Sequence, residues 1–394
     1  MKNERKSIGI VVVGDHVQAL GIIRSLGRRN IPVYLLNDKN LCIGRFSRYI
    51  KKFVKTPSIE NELKFLNFLL TFTKIYNLNN WILIPTNDAI VKIVSKNKDL
   101  LKEYYQVPTP SWDVVKFALE KNLTYLIAQK AEVPSSKTFC PNSISDIEKL
   151  ESINIQYPVI LKGVDGFNFY KKTGVKAFKA NSIDELRKIK NDILHLVNPS
   201  EIVIQEMIPG NTDLVYSFCS FFKNGEAIGV WTGRKIREHP MGLGTGTFAE
   251  SIYVPEIIEL GSKLLSAMNY YGISEIEFKK DPRDGNFKLI EMNARTWLWI
   301  SLAVRAGVDF PYMLYKDMVG EDVSSVRHFR ENVKWVHLYT DLGVMAKEVL
   351  RGKMQVKEYL LSLKGEKEFA VLSLDDPLPF IAETLMLLYL WKVR

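Results

Sequence analysis

Short continuous apolar runs at the start of the chain, "IGIVVVG", "IPVYLLND" and later "WILIPTND", are separated by stretches of helical period such as "HVQALGIIRSLGRRN". Strand, helix and strand at this spacing predict a parallel sheet wound by right-handed crossovers, which constrains the first hundred residues to an α/β unit. Gly14 and Asp15 close the first run where a helix begins, a geometry able to hold an anion. The glycines there, Gly9, Gly14 and Gly21, do not make the dinucleotide spacing GxGxxG.

With 394 residues the chain is too long for one ordinary core, and two or three domains are expected. The Pro-rich segment "VPTPSWD" (107–113) reads as a boundary. After it come a helix over about 113–131, the strand "YPVILKG", the loop "GVDGFNFYKKTG", the strand "GVKAFKA", a capped helix and the strand "EIVIQEMI". A long hairpin with an Asn-Gly turn, "TDLVYSFCSFFKNGEAIGVWTGRKIR", follows. A net charge of +10 favours anionic partners in general. The separated Cys42, Cys140 and Cys219 suit neither a disulfide framework nor a zinc site, which fits a reducing, cytoplasmic compartment. The apolar runs at both ends are too short for a signal peptide core or a membrane span.

The segment "ISEIEFKKDPRDGNFKLIEMNAR" divides into two alternating strands around "DPRDG". If Glu277 lies opposite Glu291, then Glu275, Glu277, Lys279, Glu291 and Asn293 share one face, and Ile276, Phe278, Ile290 and Met292 share the core face. Carboxylates and an amide oxygen converging on adjacent strands repel unless a cation lies between them, and all-oxygen ligation suits Mg²⁺ held together with substrate phosphates. Lys162 ends a buried strand, where a lone ammonium is costly without an anion. "QEMIPGNTD" sets backbone groups beside apolar Met207 and Ile208, with Asp213 after a Gly turn. "GRKIREHP" adds Arg234, Lys235, Arg237 and His239. Each of these taken alone also reads as an ordinary strand end or solvated edge.

Taken in order, "YPVILKG", "IQEMIPGNTDLVYS", "GRKIREHP", "EIEFKKDPRDG" and "LIEMNAR" resemble the ATP-grasp superfamily, in particular its carboxylate–amine ligases, from about residue 8 to 320. The resemblance implies a pre-ATP-grasp α/β domain with a parallel sheet (1–112), an ATP-grasp fold of two lobes with antiparallel sheets (113–195 and 196–325), and a C-terminal helical extension (326–394). It implies ATP with Mg²⁺, or Mn²⁺ in its place, as cofactors. Glu277, Glu291 and Asn293 match the metal ligands, and Arg295 the residue facing the transferred phosphoryl or the substrate carboxylate. Lys162 and Lys121 match nucleotide-contacting lysines, Glu206, Met207 and Ile208 the adenine hinge, Asp213 the ribose acid and Lys235 a γ-phosphate contact. The loop after Lys162 is bulky and aromatic where the family carries a Gly/Ser-rich lid.

The implied partners are a small-molecule carboxylate and an amine, an amino acid, small peptide or cell-envelope precursor, with no nucleic acid. Trp297, Trp299, Arg237 and the loop "HPMGLGTGT" are expected around the acceptor, and His16 is a candidate contact. The C-terminal "TLMLLYLWKVR" could touch a membrane surface or pack as a core helix, and a homodimer is compatible. Two rivals stay open: a nicotinamide-dependent oxidoreductase using Asp38 as ribose acid, and a basic protein binding nucleic acid or membrane without catalysis.

Overall fold

The computed structural model of the chain describes residues 8–148, 155–242 and 244–387. Its N-terminal part is a five-stranded parallel sheet in the order β3-β2-β1-β4-β5. The strands are β1 (Ile10–Val13), β2 (Val33–Asn37), β3 (Ile50–Lys55), β4 (Trp81–Pro85) and β5 (Tyr105–Gln106). Helices α1 (His16–Gly27), α2 (Glu62–Tyr76), α3 (Asp88–Lys96) and the short α4 (Lys98–Leu101) connect them. Strands β1, β2 and β4 are buried throughout because helices or the large lobe cover both faces. Gly14 has φ +120, and a Cβ on it would lie 2.1 Å from Thr86 Oγ1, so this turn is filled by Thr86 and needs glycine.

The helix expected over 113–131 is two, α5 (Trp112–Leu119) and α6 (Lys121–Lys130), broken where Glu120 adopts extended backbone. Next comes a four-stranded antiparallel sheet in the order β6-β9-β7-β8. It consists of β6 (Thr138–Phe139), β7 (Val159–Gly163), β8 (Ala177–Ala180) and β9 (Ile202–Glu206), with α7 (Ile144–Glu148), α8 (Gly166–Thr173) and α9 (Ile183–Ile193) between them. The expected loop after Lys162 is therefore the helix α8. Asp165 caps it by accepting from Asn168 N at 3.0 Å, and Gly174 ends it in the left-handed region. Gly163 lets α8 sit directly on the end of β7, since a Cβ there would lie 2.2 Å from Phe169 Cβ.

The large lobe is a seven-stranded sheet in the order β14-β13-β10-β11-β12-β15-β16. Its members are β10 (Val215–Lys223), β11 (Glu226–His239), β12 (Thr245–Ser251), β13 (Gly272–Lys280), β14 (Phe287–Asn293), β15 (Lys334–Val336) and β16 (Lys367–Phe369). Around it lie α10 (Pro255–Ala267), α11 (Ile300–Ala306), α12 (Phe310–Met318), α13 (Leu338–Leu350), α14 (Val356–Ser362) and α15 (Leu378–Leu385). The segment after residue 326 is thus not helical alone: β15 and β16 complete the large sheet. It is also tied down by buried charges. Asp376 accepts from Arg24 Nε at 3.0 Å, Ser47 Oγ at 2.7 Å and the Arg48 amide at 2.8 Å. Arg237 donates to both Asp341 oxygens at 2.9 and 2.6 Å.

One continuous core runs from β1, β2 and α1 into α11, α12 and the large sheet. Trp231, Trp297, Trp299 and Trp335 belong to it, so the expected acceptor tryptophans are core side chains. Trp297 stacks on Trp231 at 6.0 Å between ring centroids. Arg237 leaves the acceptor group for the same reason, being buried with Asp341 between the rings of Phe248 and Tyr359. The end of the expected Gly-rich loop, from Thr245 on, is strand β12. No helix among the described residues is long and apolar enough to cross a membrane, and the end of the C-terminal stretch, 388–394, lies outside the described residues.

Candidate active site

Register decides the acidic face. In the β13–β14 hairpin Glu277 pairs with Glu291 and Glu275 with Asn293. On the next strand Ser217 lies opposite Glu277, and Val215 stands opposite both Lys279 and Lys235. Because cross-strand partners share a face, Glu275, Glu277, Lys279, Glu291, Asn293, Ser217 and Lys235 lie on one side of the sheet. A bulge after Glu277 alters the expected core side, because β14 slips by one residue and Leu289 faces Phe278. Leu289 is fully buried and Ile290 only partly so, and the Ile290 carbonyl is left to accept from Tyr125 Oη at 2.7 Å.

The acids are held away from water. Burial, then the neighbouring Glu277, pushes the Glu275 carboxyl up to about 8; it accepts from Ser217 Oγ and from Asn293 Nδ2, both at 2.9 Å. Burial also raises Glu277, although Lys235 stands 3.5 Å from its Oε2 and opposes the shift, while Glu291 adds to it. Lys235 is itself buried, which lowers its ammonium, but Glu277, Glu238, Glu275 and Glu291 together hold it above the usual value. Across the cleft on β7, burial pulls Lys162 down to about 8 against the attraction of Glu291. Its Nζ donates to Tyr125 Oη at 2.8 Å and to Gln205 Oε1 at 2.9 Å.

These donors fit a hard divalent cation: two carboxylates on opposed strands and an amide oxygen, all oxygen, with Glu277 carrying a desolvation cost that positive charge relieves. No group of three or more His, Cys, Asp or Glu among the described residues is arranged to hold a metal unaided. The remaining ligands would have to be Asn293 and phosphate oxygens, the usual way Mg²⁺ is bound.

The other expected residues divide. Lys121 opens α6 beside the start of α8, its Nζ 3.8 Å from the Cβ position of Gly166. The Glu206 side chain points away from Lys162: it pairs with Val159, on the opposite face, and accepts from the Gln156 amide at 2.8 Å, so Glu206 would serve the hinge through its backbone. The residue brought to Lys162 is Gln205, opposite Ile160. Alternation along "IVIQEMI" sets Gln205 and Glu206 on opposite faces, and the pairing with β7 decides which of them meets Lys162. In the hinge the Met207 amide donates to Pro158 O at 2.9 Å, and the Ile208 carbonyl accepts from Lys279 Nζ at 3.0 Å. Asp213 lies exposed in the short turn Thr212–Leu214. Arg295 does not stand open: Nε and Nη2 reach Asp88 on α3 at 2.6 and 3.2 Å, and Nη2 also reaches Asn293 Oδ1 at 2.9 Å. Tyr125, Gln205, Glu238 and Asp88 are site residues that the sequence alone did not single out.

This arrangement, with a parallel-sheet domain and two lobes built on antiparallel strands, is the ATP-grasp fold. No family model matches the sequence. It is similar to the D-aspartate ligase of Enterococcus faecium, 22% identical over 298 residues that cover 72% of this chain and 70% of the relative. It is also similar to the coenzyme gamma-F420-2:alpha-L-glutamate ligase of Methanococcus maripaludis, 29% identical over 203 residues, 51% of this chain and 66% of the relative. Among solved structures, N5-carboxyaminoimidazole synthetase from Staphylococcus aureus complexed with ADP superposes with a TM-score of 0.64 at 15% identity, covering 87% of this chain and 86% of that one. Both sequence relatives are named as ligases that join an amino acid, and their similarity to this chain, with the shared fold, supports an enzyme of the carboxylate–amine ligase kind.

Proposed function

We propose that the chain uses ATP to activate a carboxylate as an acylphosphate and then joins it to an amine, releasing ADP and phosphate. The observation carrying this reading is the partly buried Glu277–Glu291 rung, with Asn293 on the next rung and Lys162 and Lys235 beside it. The substrate class is an amino acid, a small peptide or a cell-envelope precursor; the relatives' names, which carry aspartate and glutamate, support the amino acid.

In this reading Glu277, Glu291 and Asn293 hold Mg²⁺, and the metal supplies charge neutralisation for the phosphates when bound. Lys162 and Lys121 bind phosphate oxygens, and the start of α8 covers them in place of a Gly-rich lid. Gln205 and the backbone of Met207 and Ile208 border the adenine, with Asp213 near the ribose. Lys235 and Arg295 carry charge toward the group being transferred. Closure of the small lobe keeps water from the acylphosphate.

The oxidoreductase alternative loses its support at the first strand-to-helix turn, which Thr86 fills. A screen of amino acids and dipeptides for Mg²⁺-dependent phosphate release tests the proposal. It is abandoned if ATP turnover is independent of any carboxylate.

A further inference from the structure

We propose that Asp88 is the amine-side residue of the cleft: it holds Arg295 until a substrate carboxylate takes its place, and then receives the ammonium group of the incoming amine. The inference rests on the ligase reading above.

Arg295 is already engaged as a substrate carboxylate would engage it. Its Nε and Nη2 donate to the two oxygens of one carboxylate, at 2.6 and 3.2 Å, the fork geometry by which arginine recognises such groups. A substrate carboxylate therefore meets an occupied guanidinium, and one of the two acids must yield. The asymmetry of the pair says which. The Arg295 side chain is 17% exposed and is also fixed by Asn293 Oδ1 and the Thr296 carbonyl, each at 2.9 Å, whereas the Asp88 side chain is 47% exposed. Arg295 stays, and Asp88 swings.

Position supports the same assignment. One turn after Asp88, Lys92 donates to Asp165, the cap of α8, at 2.7 Å. Helix α3 thus meets the large lobe through Asp88 and the small lobe through Lys92, so Asp88 stands where the cleft is bounded by all three units. Val13 and Pro85 are register partners, and His16 and Asp88 follow them by three residues each, both opening helices at adjacent strand ends. A carboxylate displaced from its guanidinium is left unpaired at the mouth of the cleft, its charge open to a cation that enters there. The acceptor's ammonium, arriving at an acyl group held by Arg295, supplies one.

The test uses the full chain with Mg²⁺, ATP and the amino acids and dipeptides of the screen as probes. The KM for the carboxylate partner is read with hydroxylamine, an uncharged acceptor at neutral pH, and the KM for the amine partner at saturating carboxylate. Asp88→Asn is expected to lower the carboxylate KM several-fold, because Arg295 is no longer held by a charge. It is expected to raise the amine KM by about tenfold or more, the scale of one lost hydrogen bond to a charged group, with Asp88→Glu recovering part of that loss. An amine KM within twofold of the unaltered chain overturns the inference whatever the carboxylate does. So does a joint rise of both KM values, which would make Asp88 a clasp between units. If the unaltered chain forms neither hydroxamate nor ADP, the ligase reading fails first and removes the premise.

Discussion

Lys162 carries opposite demands, and they set the first prediction. Without a ligand its ammonium is buried against Tyr125 and Gln205 and held at about 8, against about 10.4 in an unfolded chain. Between these pH values the unfolded chain binds a proton that the folded chain does not. Stability therefore rises with pH across that window, and the full cost of the buried charge is present below about 8. Lys162→Met is expected to melt a few degrees higher than the unaltered ligand-free chain at pH 7, by roughly 2–6 °C, with the advantage fading toward pH 10. Thermal unfolding at the two pH values checks this; a variant that melts lower at both would mean the lost hydrogen bonds outweigh the relieved charge. The same variant should lose ATP turnover, since the phosphates repay the burial. Lys162 was legible in the sequence because a lysine ending an apolar strand is conspicuous. Gln205, two strands away in the chain but touching it, was not, because its face depends on the pairing of β7 with β9.

The hairpin β13–β14 is the element that makes the acidic face, and its turn is held by Asp281. That carboxylate is fully buried and accepts from Arg283 and from Lys288 Nζ, the latter at 2.6 Å; the Arg283 contacts chiefly hold it well below the usual carboxylate range. A depressed acid contributes stability above its unfolded value, near 3.9, and that contribution is lost as pH falls below it. Asp281→Ala removes the buried carboxylate from both cations, leaving Lys288 with Asp284 at 2.9 Å and Arg283 with Gln156 at 3.0 Å. It is expected to cost on the order of 2–4 kcal/mol at neutral pH, with a smaller difference from the unaltered chain near pH 3, measured by denaturant unfolding. Both hairpins and their turn residues were readable from alternation and from Asn-Gly and Asp-Gly, and so was the Glu277–Glu291 rung. The bulge after Glu277 was not, since nothing in "FKLIEMN" marks an extra residue locally. Helix α8 was readable in part: Asp165 and Gly174 are cap residues at helical spacing, obscured by the expectation of a lid loop.

At the scale of the molecule, the C-terminal segment closes the structure by pairing charges with residues distant in sequence. Asp376 meets Arg24, Ser47 and Arg48, and Asp341 meets Arg237 and Thr247. No sequence period announces such contacts, so this segment gave little beyond helical pattern until it was seen in the fold. Asp376→Ala strands a buried arginine. It is expected to lower the melting temperature by roughly 5–10 °C while leaving the large-lobe hairpin intact, as reported by hydrogen exchange at residues 272–293. The central claim concerns the whole assembly of lobes around a phosphate-bearing site, and hydroxamate formation with hydroxylamine, Mg²⁺, ATP and a carboxylate from the screen tests it most directly. The account predicts a hydroxamate formed in step with ADP and suppressed by about 100-fold or more in Glu291→Gln. A Glu291→Gln chain that forms hydroxamate at the full rate, or a reaction that releases AMP in place of ADP, would contradict it.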